Sequence, residues 1–386
     1  MRSLRFFASS SLSLSAAFVV LGCGSDFVDP FSSTTSTGSS LTTGGMGTGG
    51  NSGTGSGGNG SGICPNGTVK DNLLINPSFE DTSTWVVTGS PIDYPMAADC
   101  SFACGNQVGH VAAKEGGAIG TVVVSQSLNR KVELGSSFTV SARYIYTSTY
   151  APYFGVIVNA YPAGGTYVNG INEGKHFSID NVAVQINDPR RTGVGVQANL
   201  YAGYDDKGMD ASFDCFALTY SPPAGVELLP NGWFDGAASD WAGSGNAVLT
   251  WENQNGTCGA TNGAAHVKVP ANSPAASLHG SVKGNWPAGT KFRFGGAVRA
   301  FDVNGKLADV ALALHLEYKD DNNNATDDFL DVEVLADLAS DELWKPASGE
   351  AVAARPVVQA DLVQKGGKAE EQDYLADCYS LRAITP

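Results

Sequence analysis

Apolar and polar residues alternate along several stretches of this chain. The clearest run covers positions 138–146, where every second residue is apolar or aromatic: Phe138, Val140, Ala142, Tyr144 and Tyr146. The same period of two recurs at 154–160, 194–200 and 310–318, and turns rich in Gly, Asn and Pro separate these runs. A period of two is typical of half-buried antiparallel strands, and helical periodicity is scarce. The pattern therefore predicts an all-β protein.

One longer pattern occurs twice and indicates a duplicated folding unit. Each copy has a Leu-Leu opening followed by a Trp, then a Cys-Gly pair, and finally an Asp-Cys strand. These lie at 73–85, 104–105 and 214–218 in the first copy, and at 228–241, 258–259 and 377–381 in the second. At roughly 150 residues, each copy is large enough for a two-sheet core. We predict two tandem antiparallel β-sandwich domains, at 64–223 and 224–386.

The N-terminal 63 residues are predicted to lie outside both sandwiches. Residues 1–23 have a basic start and a short apolar stretch, which is typical of a secretory signal. The ending Leu21-Gly22-Cys23 resembles the bacterial lipobox, which implies lipid modification at Cys23. Gly24 and Ser25 follow the cysteine instead of an acidic residue, which by analogy with lipoprotein sorting predicts attachment to the outer membrane, facing the periplasm or the cell surface, with the lipid as the only membrane contact. Cleavage by an ordinary signal peptidase is the alternative, since Leu21 is a less usual residue at its position. Residues 24–63 are rich in Gly, Ser and Thr and are predicted to form a flexible linker.

Six of the seven cysteines remain once Cys23 is set aside, and an even number in an exported chain favours disulfides. The duplication makes Cys104–Cys215 and Cys258–Cys378 equivalent pairs, and Cys64–Cys100 is then left in the first copy alone. A zinc site is the alternative, but the spacings of Cys and His match no usual zinc pattern.

The formal net charge of −15 restricts the classes of partner. Binding to nucleic acid requires clustered Lys and Arg to contact phosphates, so we predict no nucleic-acid partner. Adsorption to an anionic surface is also disfavoured, because the protein and the surface would both be negatively charged.

Several segments of both copies are similar to a known family of sugar-binding domains. Leu74-Ile75-Asn76-Pro77-Ser78-Phe79-Glu80 with Trp85 resembles the start of carbohydrate-binding modules of the family four, nine and twenty-two type. The stretches at 124–128, 135–141 and 213–218 fit the same family, and the second copy keeps the opening, residues 289–292 and the closing strand. The resemblance implies a galactose-binding-like jelly roll and a glycan or cell-wall polysaccharide as partner.

The same resemblance implies a structural calcium ion in each copy. Carried over to this chain, its ligands would be Glu80 with Asp214 and Asp235 with Asp377. A cysteine stands beside each closing Asp where the family often has a second acid, so a disulfide is the alternative way to join the two ends of a domain. The acidic stretch 320–328 partly matches an EF-hand loop, but Ala325 replaces the required glycine and a strand precedes it. We interpret that stretch as a solvated hairpin loop.

Glycan binding requires aromatic faces beside polar side chains. The first copy is rich in tyrosine, and six residues near its turns are the predicted ligand-binding set: Tyr150, Tyr153, Tyr161, Tyr167, Asn159 and Asn169. The alternative is that these aromatic residues pack the sandwich, as we expect for Tyr144 and Tyr146. The second copy offers fewer candidates, namely Trp251, Trp286, Tyr318 and Trp344.

No catalytic arrangement is recognisable in the sequence. His110 and His266 occupy equivalent places in the two copies, which favours a role in the fold, and no Ser-His-Asp or Cys-His spacing is found. We predict a non-enzymatic lipoprotein that binds a glycan. Two alternatives stay open: a structural or adhesive envelope protein that binds proteins, and a jelly-roll glycoside hydrolase. The sequence makes no prediction of the oligomeric state.

Overall fold

The structure is a computed structural model that describes residues 69–386, apart from gaps. The gaps are 82–83, 90–91, 97–102, 114–119, 148–151, 160, 168–175, 205–207, 260–262, 274–276, 302, 304–309, 321–324, 336–343 and 367–370. The predicted signal, linker, Cys23 and Cys64–Cys100 pair lie outside the described residues. Within the described part, no helix is long and apolar enough to cross a membrane.

The first half of the described chain forms two antiparallel sheets. Its strands are β1 (Val86–Thr88), β2 (Ile92–Asp93), β3 (Gly109–Ala113), β4 (Gly120–Val132), β5 (Ser137–Thr147), β6 (Tyr153–Val158), β7 (Tyr161–Tyr167), β8 (His176–Gln185), β9 (Gly193–Tyr204) and β10 (Met209–Ser221). One sheet has the order β1-β4-β9-β6-β7 and the other β2-β3-β10-β5-β8. A single 3-10 turn, Pro189–Arg191, joins β8 to β9.

The second half repeats this arrangement. Its strands are β11 (Val226–Glu227), β12 (Ala242–Ser244), β13 (Val248–Glu252), β14 (Ala264–Val269), β15 (Ser277–Trp286), β16 (Lys291–Ala300), β17 (Val310–Lys319), β18 (Ala325–Leu335), β19 (Lys345–Val352), β20 (Val357–Gly366) and β21 (Gln372–Ile384). One sheet has the order β13-β14-β21-β16-β19, with β11 paired to β21, and the other β12-β15-β20-β17-β18. The predicted all-β fold with tandem sandwiches is confirmed.

Each sandwich has its own apolar core between its two sheets. The alternation predicted at 138–146 is found in β5, whose Phe138, Val140, Tyr144 and Tyr146 all lie in the first core. The alternation fails at Val194, which is 39% exposed. The register of β4 against β9 shifts between Leu128 and Lys131, where β4 has one residue more than β9. In β9 itself, Gly195 has a positive φ of 114° between Val194 and the buried Val196.

One end of the first sandwich packs against the outer face of a sheet in the second. The 3-10 turn contacts β16, β19 and β21. A Cβ atom at Gly295 in β16 would lie 2.7 Å from Leu134 Cδ2 and 3.0 Å from Pro189 Cγ, so a glycine is needed for this close approach. Glu133 Oε1 lies 3.1 Å from Arg382 Nη2 across the same contact. We call residues 188–192 the docking segment.

Candidate functional site

Asn159 lies at the contact between the two sandwiches. Its Nδ2 donates to the carbonyl oxygens of Thr192 and, at 2.7 Å, of Thr257 in the second sandwich. Asn159 also has a positive φ of 49°, as expected for an asparagine in the tight turn between β6 and β7. Because its amide group is used to hold these segments together, Asn159 is a docking residue rather than the predicted ligand-binding residue.

Tyr161 also lies close to the docking segment. The guanidinium of Arg190 stands over its ring, 5.3 Å from the centroid, and the side chain is half-buried. Arg190 in turn donates to the carbonyl oxygen of Trp344 at 3.1 Å. Tyr161 therefore supports the contact between the sandwiches. Of the other predicted residues, Tyr167 is at the end of β7, while Tyr150 and Asn169 lie outside the described residues.

Tyr153 lies on the outward face of the sheet β1-β4-β9-β6-β7. Its neighbours Phe154 and Val156 are in the core, so Tyr153 and Gly155 point the other way. The Tyr153 ring crosses the outward side of Gly155 and Gly165, where it leaves no room for a Cβ atom. The side chain is only 5% exposed, so little of this ring remains open to a ligand.

Tyr201 lies next to Tyr153 and keeps more of its surface open. The two residues are direct partners in the pairing of β6 with β9, and their ring centroids are 5.8 Å apart. Tyr201 is half-buried, and this burial raises the pKa of its phenol above the usual value. The phenol is therefore neutral over the physiological range and retains its hydrogen-bond donor.

Polar, uncharged groups surround this tyrosine pair on the same face. Asn199 pairs with Gly155 and with Ser125, and Gln197 pairs with Ser127. We call this surface the tyrosine face and define it by these outward positions: Ser125, Ser127, Tyr153, Gly155, Gly165, Gln197, Asn199 and Tyr201. Asn199 is 1% exposed, and its Nδ2 lies 3.5 Å from the carbonyl oxygen of Gln197. None of these positions is charged.

The corresponding face of the second sandwich has a different chemistry. In the sheet β12-β15-β20-β17-β18, the outward positions flanking the core leucines include His279, Lys283, Asp361, His315 and Glu317. Its predicted aromatic candidates lie elsewhere. Tyr318 and Trp344 are buried, Trp286 packs on Phe292, and Trp251 is in the edge strand β13 with Nε1 donating to the carbonyl oxygen of Phe234.

The closing aspartates are buried at equivalent places in the two sandwiches. Asp214 Oδ2 accepts from the backbone N of Cys104 at 2.7 Å, and Asp377 Oδ2 accepts from that of Cys258 at 2.8 Å. Burial raises the pKa of Asp214 to about 7, and the nearby Glu80 carboxylate adds to the rise. Burial raises the pKa of Asp377 in the same direction, and Asp235 adds to it.

Glu80 and Asp235, the acidic residues of the two opening motifs, lie near these aspartates, and each one packs against a glycine. Glu80 Oε1 occupies the space of a Cβ at Gly105, and Asp235 Oδ1 does the same at Gly259. Each sandwich thus brings together the two carboxylates that were predicted as calcium ligands. Carboxylate oxygens are the donors that Ca²⁺ prefers, and a divalent cation would relieve the repulsion between the two acids. The residues fit the ion in their chemistry, and carbonyl oxygens or water would supply the remaining ligands.

Both disulfides predicted from the duplication are present. Cys104 is bonded to Cys215 and Cys258 to Cys378. A carboxylate oxygen of Asp377 and the sulfur atoms of Cys258 and Cys378 all lie within 4.8 Å of one another. The two sulfur atoms are bonded to each other, so neither is a thiolate and this group does not form a zinc site.

The two equivalent histidines connect neighbouring strands. His266 has Glu252 and Asp373 at 2.5 Å from its two ring nitrogens, and His110 Nε2 lies 3.1 Å from Asp210. These contacts support the predicted role in the fold, with acidic side chains of adjacent strands as the partners.

No protein-family model matches the chain, and no curated protein shows significant similarity to it. The chain is similar to solved carbohydrate-binding modules. An N-terminal tandem of two family 22 modules from Paenibacillus barcinonensis is 14% identical, with a TM-score of 0.33, and the match covers 82% of this chain and 98% of that one. A family 4 module is 17% identical, with a TM-score of 0.27 and coverage of 39% and 99%. An arabinose-bound family 51 α-L-arabinofuranosidase is 15% identical, with a TM-score of 0.31 and coverage of 42% and 27%.

Proposed function

We propose that the first sandwich binds a glycan without catalysis, on a protein held to the outer membrane by a lipid at Cys23. The ligand lies on the tyrosine face. The observation that carries the proposal is the combination on one sheet of a half-buried tyrosine ring, Tyr201, with amide and hydroxyl side chains at the neighbouring outward positions. A pyranose ring offers an apolar face to Tyr201 and hydroxyl edges to groups such as Gln197 and Ser127, which keep part of their surface exposed.

The low exposure of Tyr153 favours a second candidate function. If the packed Tyr153 side chain leaves no room for a sugar on the tyrosine face, the sandwiches serve as structural or adhesive modules that bind a protein. The two candidates differ in their response to the Tyr201 ring, because only a sugar needs that ring as a stacking surface.

We expect Tyr201→Ala to weaken glycan binding by at least about tenfold, which corresponds to about 1.4 kcal/mol. The soluble fragment 64–386 would be screened on a glycan array, and the affinity for the retained glycan would then be measured by titration calorimetry. Trp251→Ala is the matched control, since it removes an aromatic ring that is 37% exposed in the second sandwich. A wild-type fragment that retains no glycan, or a Tyr201→Ala variant that binds normally, would remove the tyrosine face from consideration.

We also propose that each sandwich binds a structural calcium ion at the paired carboxylates. Calcium at one hundred times its dissociation constant should stabilise the fold by about 2.7 kcal/mol per site. We expect the melting temperature to rise with calcium and to fall with a chelator, and Glu80→Gln and Asp235→Asn should each remove part of the rise. Asp320→Asn, at the acidic hairpin, is the control and should leave the response intact. No dependence of melting temperature on calcium would show that the disulfides alone hold these ends together.

A further inference from the structure

The two equivalent disulfides differ in how they are covered. In the first sandwich Cys104 is 8% exposed and Cys215 is half-buried. In the second, Cys258 and Cys378 are 0% and 1% exposed. The two bridges come from the same duplicated pattern, so the difference must arise from what lies around them in the assembled chain.

Part of the cover over Cys258 comes from the first sandwich. Thr192 Oγ1 lies 3.2 Å from Cys258 Sγ, and the carbonyl oxygen of Pro189 lies 3.4 Å from it. Thr192 is itself 1% exposed and its hydroxyl donates to Pro189 O at 2.7 Å, which fixes it over the sulfur. The remaining cover is from the second sandwich's own residues, including Ala264, Trp344 and Leu375.

The contacts that hold the docking segment on the second sandwich lie around the same bridge. Arg190 Nη1 donates to the carbonyl oxygen of Trp344 at 3.1 Å. Asn159 Nδ2 donates to the carbonyl oxygen of Thr257, the residue before Cys258, at 2.7 Å. Separation of the two sandwiches would therefore uncover Cys258 on the side that the docking segment now occupies.

We propose that docking of the two sandwiches gates the redox chemistry of Cys258–Cys378. A thiolate of a dithiol reductant must reach one sulfur, form a mixed disulfide and release the other cysteine as a thiolate. The second thiol of the reductant then completes the exchange, which gives two protein thiols and one oxidised reductant. The docking segment blocks approach to Cys258 Sγ, so this bridge is reduced only when the sandwiches separate.

Timed reduction of the purified full-length protein tests this proposal. The protein would be mixed with excess dithiothreitol at about pH 8, where a reductant thiol is partly ionised. Samples would be quenched with iodoacetamide and the modified cysteines quantified by peptide mass spectrometry. We expect Cys104–Cys215 to be reduced at least about tenfold faster than Cys258–Cys378. In Glu133→Arg, which places like charges at the Arg382 contact, Cys258–Cys378 should react at least about tenfold faster than in the wild type, with Cys104–Cys215 unchanged.

Two results would overturn the proposal. One is equal rates for the two bridges in the wild type. The other is a Glu133→Arg protein whose sandwiches separate, as seen by small-angle scattering, while Cys258–Cys378 stays as slow as before, since the second sandwich's own residues would then protect it. Gly295→Leu disrupts the same contact by a steric clash. If Glu133→Arg unfolds and exposes both bridges together, the reduction rates of Gly295→Leu are measured instead, and the same two results apply.

Discussion

Replacing Arg382 by alanine should lower the free energy of unfolding by about 3–5 kcal/mol, the usual cost of leaving a buried charge without its partner. Arg382 is 5% exposed and its guanidinium contacts Glu133 of the first sandwich at 3.1 Å and Glu227 at 3.5 Å. Burial raises the pKa of Glu227, and hydrogen bonds from Ser380 and Leu381 together with this cation oppose the rise. Urea denaturation monitored by tryptophan fluorescence would measure the loss.

Lys268 provides the control for this variant. It pairs with Asp373 at 3.4 Å within the second sandwich, and its side chain is 58% exposed. An exposed pair is worth about 0–1 kcal/mol, so Lys268→Ala should have a small effect. Equal losses in the two variants would show that burial of Arg382 does not determine its contribution. Arg382→Ala should also separate the sandwiches, which small-angle scattering would detect.

The fold could be predicted largely because its signals are local or repeated. The period of two in β5 and β17 arises because successive side chains of a strand point to opposite faces, so it can be recognised without knowledge of distant contacts. The disulfide pairs follow from comparing the two copies, because a duplicated unit repeats its covalent geometry. Val194 was misassigned because the register shift depends on the pairing of β4 with β9, although Gly193 and Gly195 on either side of Val194 are a local signal of an irregular strand.

The candidate site was predicted only in part because docking is a long-range property. Asn159 and Thr257 are 98 positions apart, and the sequence around Asn159 contains no signal that this residue contacts the second sandwich. Tyr201, by contrast, could have been found. The alternation at 194–200 places Ala198 and Leu200 inside, so Asn199 and Tyr201 must face outward beside Gln197. The signal was present, but the selection of tyrosines near turns passed over a strand residue.

The paired carboxylates show what a family resemblance adds to local patterns. Glu80 and Asp214 are at opposite ends of the first sandwich's sequence, yet the Cys104–Cys215 bridge and the backbone of Cys104 bring them together. The sequence alone contains two isolated acids. Their shared environment, with burial that raises the pKa of Asp214 to about 7, exists only in the folded chain.

This raised pKa predicts an unusual dependence of stability on pH. In calcium-free protein, the unfolding free energy should fall as the pH rises from about 4 to about 8. Asp214 binds its proton more tightly in the folded state, with a pKa of about 7 against an ordinary value of 3.8. The stabilisation is therefore fully present below the unfolded pKa and is lost as the pH passes through the folded pKa. At 1.36 kcal/mol per pKa unit, Asp214 alone could account for at most about 4 kcal/mol. Urea denaturation at a series of pH values, in the presence of a chelator, would measure the slope.

Two comparisons isolate the aspartate from the other acids of the chain. Asp214→Asn cannot titrate, so its slope between about pH 4 and about pH 8 should be shallower than that of the wild type, whereas Asp240→Asn, at an exposed position, should keep the full slope. Saturating calcium should also flatten the curve, because a cation at the Glu80–Asp214 pair favours the ionised carboxylate. A stability that rises steadily from pH 4 to pH 8 in chelator would mean that the backbone N–H groups of Cys104 and Cys215 outweigh burial and keep Asp214 ionised. The carboxylate would then be held ionised by hydrogen bonds alone when no cation is bound.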